Sequence, residues 1–404
     1  MPAPHLRIQP KVSLVRHGVM VYDPAFDSGI ARFRRLVDYR NACIFVLSDR
    51  FDLRMQHEQV DFRSLLVKYR EPSLGRSITQ ILTTLVPLFG LWTIMFFLID
   101  ISWLALLLAL PAAGLLMRVF IIQHDCGHGS YFKSKSVNDC LGLLCSILTM
   151  TPYNCWRKLH SVHHATSGDL DRRGHGDINT LTVEEYLRLT PMKRFGYRLY
   201  RNPLVLFGVG PVLQFVILQR FNFGMPASWR KERQSTYLTN FLLAATVVGL
   251  SYLIGFWKFA LIYLPTAALG ASIGVWLFYV QHQFEETYWQ YNEKWEYFKA
   301  GIKGSSYYAL PKILQWFTAN IGIHHLHHLD HLIPNYRLQE CMDHNPELRA
   351  VNKITFWQSL ACFRLKLWDE NQGKMVGFRE VKTRLKELKA KPTASEPAKT
   401  NMAV

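Results

Sequence analysis

Four long apolar stretches alternate with polar segments along the chain. They cover residues 77–99, 101–123, 234–257 and 259–281, and each holds at most one charged side chain. An α-helix rises about 1.5 Å per residue, so each stretch is long enough to cross a hydrocarbon core of about 30 Å. Because a single residue joins the members of each pair, the pattern predicts two transmembrane helical hairpins.

Basic residues are distributed unevenly around these stretches. Lys and Arg lie before the first stretch, between the second and third, and after the fourth, and only Arg118 and Lys258 lie elsewhere. Since basic loops stay on the cytoplasmic side of a membrane, the N-terminal, middle and C-terminal segments are all predicted to face the cytoplasm. Arg118 is interpreted as an interface anchor whose long side chain reaches the headgroups.

Two shorter apolar stretches, residues 140–153 and 203–219, do not fit the four-span pattern. If either crossed the membrane alone, the basic segments would lie on opposite sides, so both are predicted to be interfacial or re-entrant helices. The predicted fold is therefore an all-α integral membrane protein with a cytoplasmic helical cap that carries the functional site. Its predicted parts are a cytoplasmic N-terminal segment (1–76), a membrane domain (77–378) and a basic tail (379–404), which begins as a short helix and continues as disorder.

The composition excludes several classes of protein. The 404 residues are 49% apolar and 19% charged, a balance that rules out a disordered chain. Seven cysteines form no CxxC pair and do not indicate a disulfide framework. The formal charge of +17 comes without a nucleic-acid-binding motif, so no nucleic-acid partner is predicted. The basic surface is expected to face anionic headgroups or an acidic protein partner.

Histidine is the residue type whose pattern points to chemistry. Nine of the 16 histidines lie in three five-residue windows. These are HxxxH at 124–128, HxxHH at 160–164, and HxxHH with one additional histidine at 324–328. Residues at i, i+3 and i+4 share one face of a helix, so each window is predicted to project its imidazoles toward one point. Imidazole binds zinc, copper, iron or nickel, which indicates a metal site.

The positions of the windows relative to the apolar stretches predict where the metal site lies. The first window begins where the second stretch ends, and His282 directly follows the fourth. The histidines are therefore expected to converge just above the cytoplasmic membrane surface. Nine candidate ligands are too many for one tetrahedral zinc ion and enough for two metal ions. The candidates are His124, His128, His160, His163, His164, His282, His324, His327 and His328.

Other histidines and two carboxylates are given different roles. The histidines expected to contact the ligands or to face solvent are His325, His331, His175 and His344. Asp125 follows the first candidate ligand, and Asp177 follows the second window. Each carboxylate would either orient an imidazole through its free N–H or remain an ordinary solvated group.

A site of neutral imidazoles at a membrane surface favours one kind of chemistry. The Glu-x-x-His pair of soluble di-iron bundles does not occur in the chain. Oxidation of an unactivated C–H bond requires a redox metal and oxygen, while the protein positions the substrate and excludes water. The residues therefore indicate a membrane metallo-oxidase that acts on a lipid, and they do not distinguish iron from zinc.

The sequence around the histidines resembles that of the membrane fatty-acid desaturases. The matching segments are His124-Asp-Cys-Gly-His128-Gly, Trp156 to His164, Val280-Gln-His282-Gln-Phe, Asn320 to His328, and Ile333-Pro-Asn-Tyr-Arg-Leu338. The resemblance extends from about residue 77 to residue 369 and is closest to the bacterial and cyanobacterial acyl-lipid branch, which is related to the plant omega-6 (Δ12) enzymes. These motifs are specific to the superfamily and weak for the position of the double bond.

The resemblance implies a function and a set of partners. The nine candidate histidines would hold a non-haem di-iron centre, with O2 as co-substrate and no catalytic residue beyond the ligands. The reaction would insert a cis double bond, Δ12 or omega-6-like, into a lipid-linked fatty acyl chain. The His-Pro-Gly-Gly signature of a fused cytochrome b5 is absent, so the resemblance implies a separate electron donor of the ferredoxin or cytochrome b5 type. The implied location is the bacterial inner membrane, multi-pass, with the active site facing the cytoplasm.

Several alternatives remain open from the sequence. The same centre would serve hydroxylation, epoxidation or ketolation of a lipid or carotenoid, and zinc would make the protein a membrane hydrolase. A metal transporter would require ionisable groups along the spans, which lack mid-span Asp, Glu and His. Aromatic residues near the last ligands would either line an acyl slot or form an interfacial belt. They are Phe278, Tyr279, Phe284, Tyr288, Trp289, Trp316 and Phe317.

Overall fold

Four long apolar helices lie close to the positions that the hydrophobic pattern predicts, but the break between the last two falls at Gly255 (φ 85°) and not at Lys258. The computed structural model of the chain describes residues 62–174 and 176–390. Among them, the segments Leu74–Leu98, Trp103–His128, Arg230–Ile254 and Phe256–His282 are each long and apolar enough to cross a bilayer. Most of the predicted N-terminal segment and the end of the predicted tail lie outside the described residues. The four helices make the fold compatible with membrane association.

Helices account for most of the regular structure in the described residues. In chain order they are α1 Phe62–Val67, α2 Leu74–Leu98, α3 Ala109–His128, α4 Lys135–Thr149, α5 Tyr153–Thr166, α6 Val183–Arg188, α7 Pro191–Tyr200, α8 Gly210–Val212, α9 Arg230–Ile254, α10 Phe256–His282, α11 Tyr297–Lys303, α12 Lys312–Phe317, α13 His324–Leu329, α14 Asn335–His344, α15 Phe356–Ser359 and α16 Phe378–Ala390. The short 3-10 helices are Trp103–Leu108, Leu218–Arg220, Asn292–Lys294, Pro346–Ala350 and Leu360–Arg364. The helix α16 begins where the basic tail was predicted to begin with a short helix.

The all-α prediction is wrong in one respect, because the described residues include five short strands. These are β1 Leu181–Thr182, β2 Tyr307–Ala309, β3 Lys353–Thr355, β4 Leu367–Asp369 and β5 Lys374–Val376. β1 pairs parallel with β4, which pairs antiparallel with β5, and β2 pairs parallel with β3. Strands of two or three residues are too short to leave a period in the sequence. They join segments of the cap that are distant along the chain.

The second apolar helix is the most enclosed of the four. About 61% of the 18 most apolar consecutive residues in this helix are buried, against 11–22% in the other three helices. α3 packs against α2, α4 and α10, and its buried residues Ala112, Val119 and Ile122 lie in the largest apolar cluster around it. Gly129 ends α3 with a left-handed backbone (φ 75°), a conformation that favours glycine. The chain therefore turns directly after His128, and the polar end of α3 stays in the interior.

Arg118 corrects one prediction from the sequence. Its side chain is buried rather than extended toward headgroups, with 8% of the residue exposed. The Nε donates to Thr84 Oγ1 at 3.0 Å, and the guanidinium stacks 4.4 Å from the Trp316 ring and donates to the Trp316 carbonyl. Thr84 lies on α2 and Trp316 on α12, far away in sequence. The interface-anchor interpretation is wrong because Arg118 is held inside the protein by residues that come close to it only in the folded chain.

The two short apolar stretches take different forms. The stretch at 140–153 is divided between α4 and α5 by Met150, which has a positive φ of 55°. The stretch at 203–219 belongs to a segment, Val205–Arg220, that forms a bent pair with α7 at an angle of 57°. It contains two π-helical turns, Val205–Val209 and Leu213–Ile217. Its geometry is that of a broken span or a re-entrant loop, and the prediction that it does not cross the membrane remains a prediction.

A buried arginine ties the cap to the end of α10. Arg201 is fully buried, and its guanidinium donates to the Asn179 carbonyl at 3.0 Å and to Gln283 Oε1 at 2.8 Å. A third bond of 3.3 Å reaches the Leu365 carbonyl. Because five N–H donors spread from one plane, one arginine holds three segments that are distant in sequence. Gln283 directly follows His282, so this contact fixes the end of α10.

Candidate metal centre

Four helices bring histidines from distant parts of the chain to one place. α3 carries His124 and His128 in its last turns, and α10 ends at His282. α5 carries the second window and α13 carries the third. The structure brings all nine predicted candidate ligands together in this region.

The nine histidines form two separate groups. The five-histidine group consists of His124, His128, His160, His164 and His327. The four-histidine group consists of His163, His282, His324 and His328. In each group, one ring nitrogen from every member lies within 4.8 Å of those of all the others. This spacing leaves each group room for one metal ion.

The windows do not each point to one place, which corrects the prediction from their spacing. Only the first window belongs to a single group. On α5, His160 and His164 lie in the five-histidine group and His163 in the four-histidine group, and α13 divides its window in the opposite sense. Since a helix turns by about 100° per residue, positions i+3 and i+4 diverge by that angle. A helix that lies between two sites can therefore supply ligands to both.

The nitrogen positions fit metal coordination. His160 Nε2 lies 3.1 Å from His164 Nε2, which lies 3.0 Å from His327 Nε2. In the other group, His282 Nε2 and His324 Nε2 are 3.0 Å apart. Two nitrogens that bind one ion at about 2.1 Å and at right angles to each other lie about 3.0 Å apart. The four buried Nε2 atoms that have no hydrogen-bond partner among the described residues belong to His124, His128, His163 and His328.

Two carboxylates hold imidazoles from outside the groups. Asp125 Oδ1 pairs with His124 Nδ1 at 2.8 Å, and Asp125 Oδ2 accepts two bonds from Asn335 at 2.7 and 2.8 Å. Asp177 pairs in the same way with His163 Nδ1. An imidazole whose Nδ1–H is occupied presents Nε2 to a metal. The structure thus confirms the orienting role that was one of two predictions for these carboxylates.

A backbone carbonyl has the same role for the histidine at the end of α10. His282 Nδ1 donates to the Gly304 carbonyl at 3.1 Å, and Gly304 ends α11. Residue 304 carries no feature that would single it out in the sequence, so reasoning from the sequence missed this contact. Asn335 was missed for the same reason, although it lies in a segment that carries the family resemblance.

The electrostatics of the site favour neutral imidazoles. Burial lowers the pKa of five ligand candidates well below the usual value, and neighbouring imidazoles lower it further: His160, His164, His324, His327 and His328. Neither group includes a carboxylate. A neutral imidazole is the form that binds a metal, so these side chains are ready to bind at neutral pH.

The remaining histidines occupy other positions. His325 is fully buried and donates to a backbone carbonyl at 3.0 Å, which places it in the core rather than at the surface. The His331 ring lies 4.8 Å from the His128 ring, at the edge of the five-histidine group. His344 is exposed, as expected. His175 lies outside the described residues.

An apolar cavity reaches the histidines from the side of the long helices. It has a volume of about 510 Å³ and is lined by residues of α3, α5, α10 and the bent segment Val205–Arg220. The histidines at its inner end are His124, His160 and His324. Along the first part of its wall on α10 the residues are small: Ala267, Ala268, Gly270, Ala271 and Gly274. Of the seven aromatic residues considered for an acyl slot, Phe278 alone lines this cavity.

A second, polar cavity reaches the five-histidine group from another side. Its volume is about 520 Å³, and its wall includes His128, His160 and His164. Charged residues lie around it, namely Arg157, Lys158 and Glu232. Two members of the five-histidine group, His128 and His160, are half-buried, whereas the four-histidine group is fully buried.

Comparison with known proteins identifies a family. A family model described as fatty acid desaturase matches residues 101–359. A fatty acid desaturase of Bacillus subtilis is 45% identical over 327 residues, which are 81% of this chain and 92% of the relative. An sn-1 oleoyl-lipid 12-desaturase of Anabaena variabilis is 25% identical over 284 residues, 65% and 73% of the two chains. An sn-1 acyl-lipid omega-3 desaturase (ferredoxin) of Synechocystis is 27% identical over 235 residues, which are 57% of this chain and 64% of the relative.

Proposed function

We propose, from the premise that the chain belongs to the fatty acid desaturase family, that it inserts a cis double bond into a lipid-linked acyl chain at two irons. The position that we propose is Δ12 or omega-6-like. The observation that carries this proposal is the pair of histidine groups beside an apolar cavity. The cavity offers a place for a hydrocarbon chain next to a place for a redox metal.

The two groups provide donor sets that suit iron. The five-histidine group would hold one ion and the four-histidine group the other, all through neutral nitrogen. Bound there, the irons would supply the reduction of O2 that removes one hydrogen from each of two adjacent methylenes. In the overall reaction, O2 takes two electrons from the C–H bonds and two from an external donor, and two further protons complete two molecules of water.

The side chains of the apolar cavity would hold and orient the acyl chain. Its small residues on α10 leave space for methylenes beside the helix, and each buried methylene would stabilise binding by about 0.8 kcal/mol. His124, His160 and His324 lie at the inner end, so the reacting carbons would lie against both groups. The apolar wall excludes water, which would otherwise divert the oxidation.

The proposed location is a bacterial inner membrane with the site facing the cytoplasm. The four apolar helices would form two hairpins, and the basic segments on either side of them would remain in the cytoplasm. On this arrangement, the predicted membrane domain of residues 77–378 contains the spans and the cap together. The ends of α3 and α10 then carry His128 and His282 to the cytoplasmic surface.

The proposed partners are an acyl lipid and a separate electron donor. The Synechocystis relative carries ferredoxin in its name, and a charge of +17 favours a small acidic redox protein. Two of the relatives are named as acyl-lipid or oleoyl-lipid enzymes, which supports a lipid-linked substrate.

Expression in a host with simple membrane lipids tests this function. Mass spectrometry of the acyl chains, with localisation of double bonds, should find a new double bond that requires O2. His163→Ala should abolish it while the protein still inserts into the membrane. His344→Ala is the matched control, because that histidine is exposed and belongs to neither group. Retained desaturation in His163→Ala, or a product with one added oxygen, would contradict the proposal.

A further inference from the structure

One tryptophan lies between the two cavities. Trp156 lines the apolar cavity and also the polar cavity. Among the described residues, His160 is the only other side chain common to both walls. Both lie on α5, one turn apart, and the Trp156 indole stacks on the His160 imidazole with 4.6 Å between ring centroids and 18° between planes. The two rings together form the partition.

The position of the indole is fixed from several sides. The Phe120 ring meets it edge-on at 5.3 Å, and the His124 ring lies 5.5 Å away. On the side of α3 it packs against Gly127, where an added Cβ would lie 3.0 Å from a carbon of the indole. A contact that close is tighter than side chains normally adopt, so the absence of a side chain at 127 lets the ring pack against α3.

The two spaces that Trp156 separates differ in chemistry. The apolar cavity is lined mainly by apolar residues, and its one charged side chain, Asp177, is paired with His163. Three charged residues, Arg157, Lys158 and Glu232, lie at the polar cavity. Lys158 is exposed, so the polar cavity is continuous with solvent. Charged side chains keep water in such a space. Without the indole, water would have a path past His160 to the place where an acyl chain would lie.

We propose that Trp156 is the partition that keeps the water of the polar cavity away from the acyl chain and thereby couples electron use to double-bond formation. This inference rests on the proposed function. With the partition intact, the two electrons from the donor and the two from the C–H bonds go to the same O2. When water enters, O2 takes two electrons from the donor and two protons from solvent and leaves as hydrogen peroxide, and the C–H bonds stay intact.

The first test measures coupling in the iron-loaded enzyme with reduced ferredoxin as donor. Trp156→Ala should raise the donor electrons consumed per double bond by at least about threefold and release hydrogen peroxide, because exclusion of water is what prevents this side reaction. Trp156→Phe keeps a ring in place and should stay near the wild-type ratio. Gly127→Ala displaces the indole from the α3 side and should give a smaller increase.

A second test needs no metal. An acyl lipid with an environment-sensitive fluorophore in its chain is bound to the iron-free protein, and its emission reports water in the apolar cavity. Trp156→Ala should shift the emission to longer wavelength. Phe215→Ala is the matched control, since Phe215 lines the apolar cavity only, and it should leave the emission closer to that of the wild type.

The outcomes separate this inference from the proposed function. If the wild type makes no double bond, the proposed function fails. If the wild type is active and Trp156→Ala loses activity with unchanged electron use per double bond and unchanged probe emission, the partition is refuted. Should Trp156→Ala not fold, the same comparison is made with Trp156→Phe, Trp156→Leu and Gly127→Ala, and an electron-to-product ratio that does not rise as the ring is reduced or displaced refutes it equally.

Discussion

The two histidine groups have the same chemistry and different surroundings. The four-histidine group is fully buried, and Asp177 and the Gly304 carbonyl hold two of its imidazoles from outside. The five-histidine group has two half-buried members and faces the polar cavity. It also has an additional histidine, His331, beside it. The structure thus combines an enclosed group with an open group that has one further histidine beside it.

This difference suggests a division of roles between the sites. An enclosed site with oriented ligands holds its ion rigidly, since outer hydrogen bonds fix ring orientation. An open site exchanges protons and solvent more readily. Because α5 and α13 each supply both groups, neither helix can shift without changing both sites. The two ions would therefore be held in a fixed relation to each other and to the apolar cavity.

The largest expected effect separates two neighbouring residues of α13. His328 belongs to the four-histidine group and His327 to the five-histidine group. His328→Ala should bind about one iron per chain, because three imidazoles remain, whereas His327→Ala should keep more iron because four remain. Both should reduce desaturation by more than about 100-fold, beyond what loss of an outer partner causes. Metal analysis of the purified variants checks the difference, and equal iron loss in both would contradict the asymmetry.

The second prediction concerns the carboxylates that orient the ligands. Asp177→Asn should weaken iron binding by about 10- to 100-fold, because the neutral amide no longer polarises the His163 ring. Asp125→Asn should have a similar effect on the open site. Glu184→Gln is the matched control, as Glu184 is exposed and pairs with Arg188 away from both groups. Titration of the metal-free variants with ferrous iron measures the affinity, and unchanged affinity in Asp177→Asn would be evidence against the orienting role.

A third, smaller effect is expected in the apolar cavity. Ala271→Leu should lower kcat/KM for long acyl chains by about tenfold, since the added side chain displaces roughly two methylenes at about 0.8 kcal/mol each. Iron content should stay at the wild-type level in both groups. Ala244→Leu provides the control, because Ala244 is exposed on α9 and lies outside the cavity. If both variants lose activity equally, the cavity does not hold the acyl chain.

The smallest effect concerns the stability of the cap, at a buried lysine outside both histidine groups. Lys366 is 6% exposed, and its Nζ has no hydrogen-bond partner among the described residues. Burial, with a smaller effect of Arg201, lowers the pKa of Lys366 to about 8. Lys366→Met should therefore raise the melting temperature by about 1–2 °C at pH 7, the shift that about 1 kcal/mol produces in a domain of about 300 residues.

The sign of the pH dependence follows from proton binding. Between pH 8 and the ordinary lysine value near 10.5, the unfolded chain binds more protons than the folded one, so wild-type stability rises with pH. The gain in stability from Lys366→Met is therefore complete below pH 8 and disappears between pH 8 and about 10.5. Thermal unfolding in detergent at several pH values measures it. An advantage that grows with pH would contradict the assignment.

The sequence predicts the parts of this molecule that depend on local pattern. The four apolar helices follow from the hydrophobic pattern. Eight of the nine candidate histidines follow from spacing at i, i+3 and i+4, and His282 follows from its position after the fourth apolar stretch. The division of α5 and α13 between two groups does not follow, because it depends on where each helix lies relative to its neighbours. The sequence shows which imidazoles share a helical turn. Only the tertiary structure shows that those of α5 and α13 belong to two histidine groups rather than one.

The failures have the same origin. The interface prediction for Arg118 is wrong because Thr84 and Trp316, which hold its side chain, are distant in sequence and leave no local signal. The five short strands and the Gly304 carbonyl beside His282 leave no period or motif. Of the seven aromatic residues considered for an acyl slot, only Phe278 lines the cavity, whereas five small residues of α10 do so without having been singled out. From the sequence, a stripe of alanine and glycine in an apolar helix indicates close packing against another helix. Only the structure shows that these residues line a cavity.

The central claim is that imidazoles from four helices hold two irons in one enzyme. The most direct test is iron analysis of catalytically active wild-type protein, combined with X-ray absorption of its first coordination shell. We expect two irons per chain, bound by nitrogen or oxygen and not by sulfur. Full activity with less than one iron per chain, or with zinc in its place, would contradict the account.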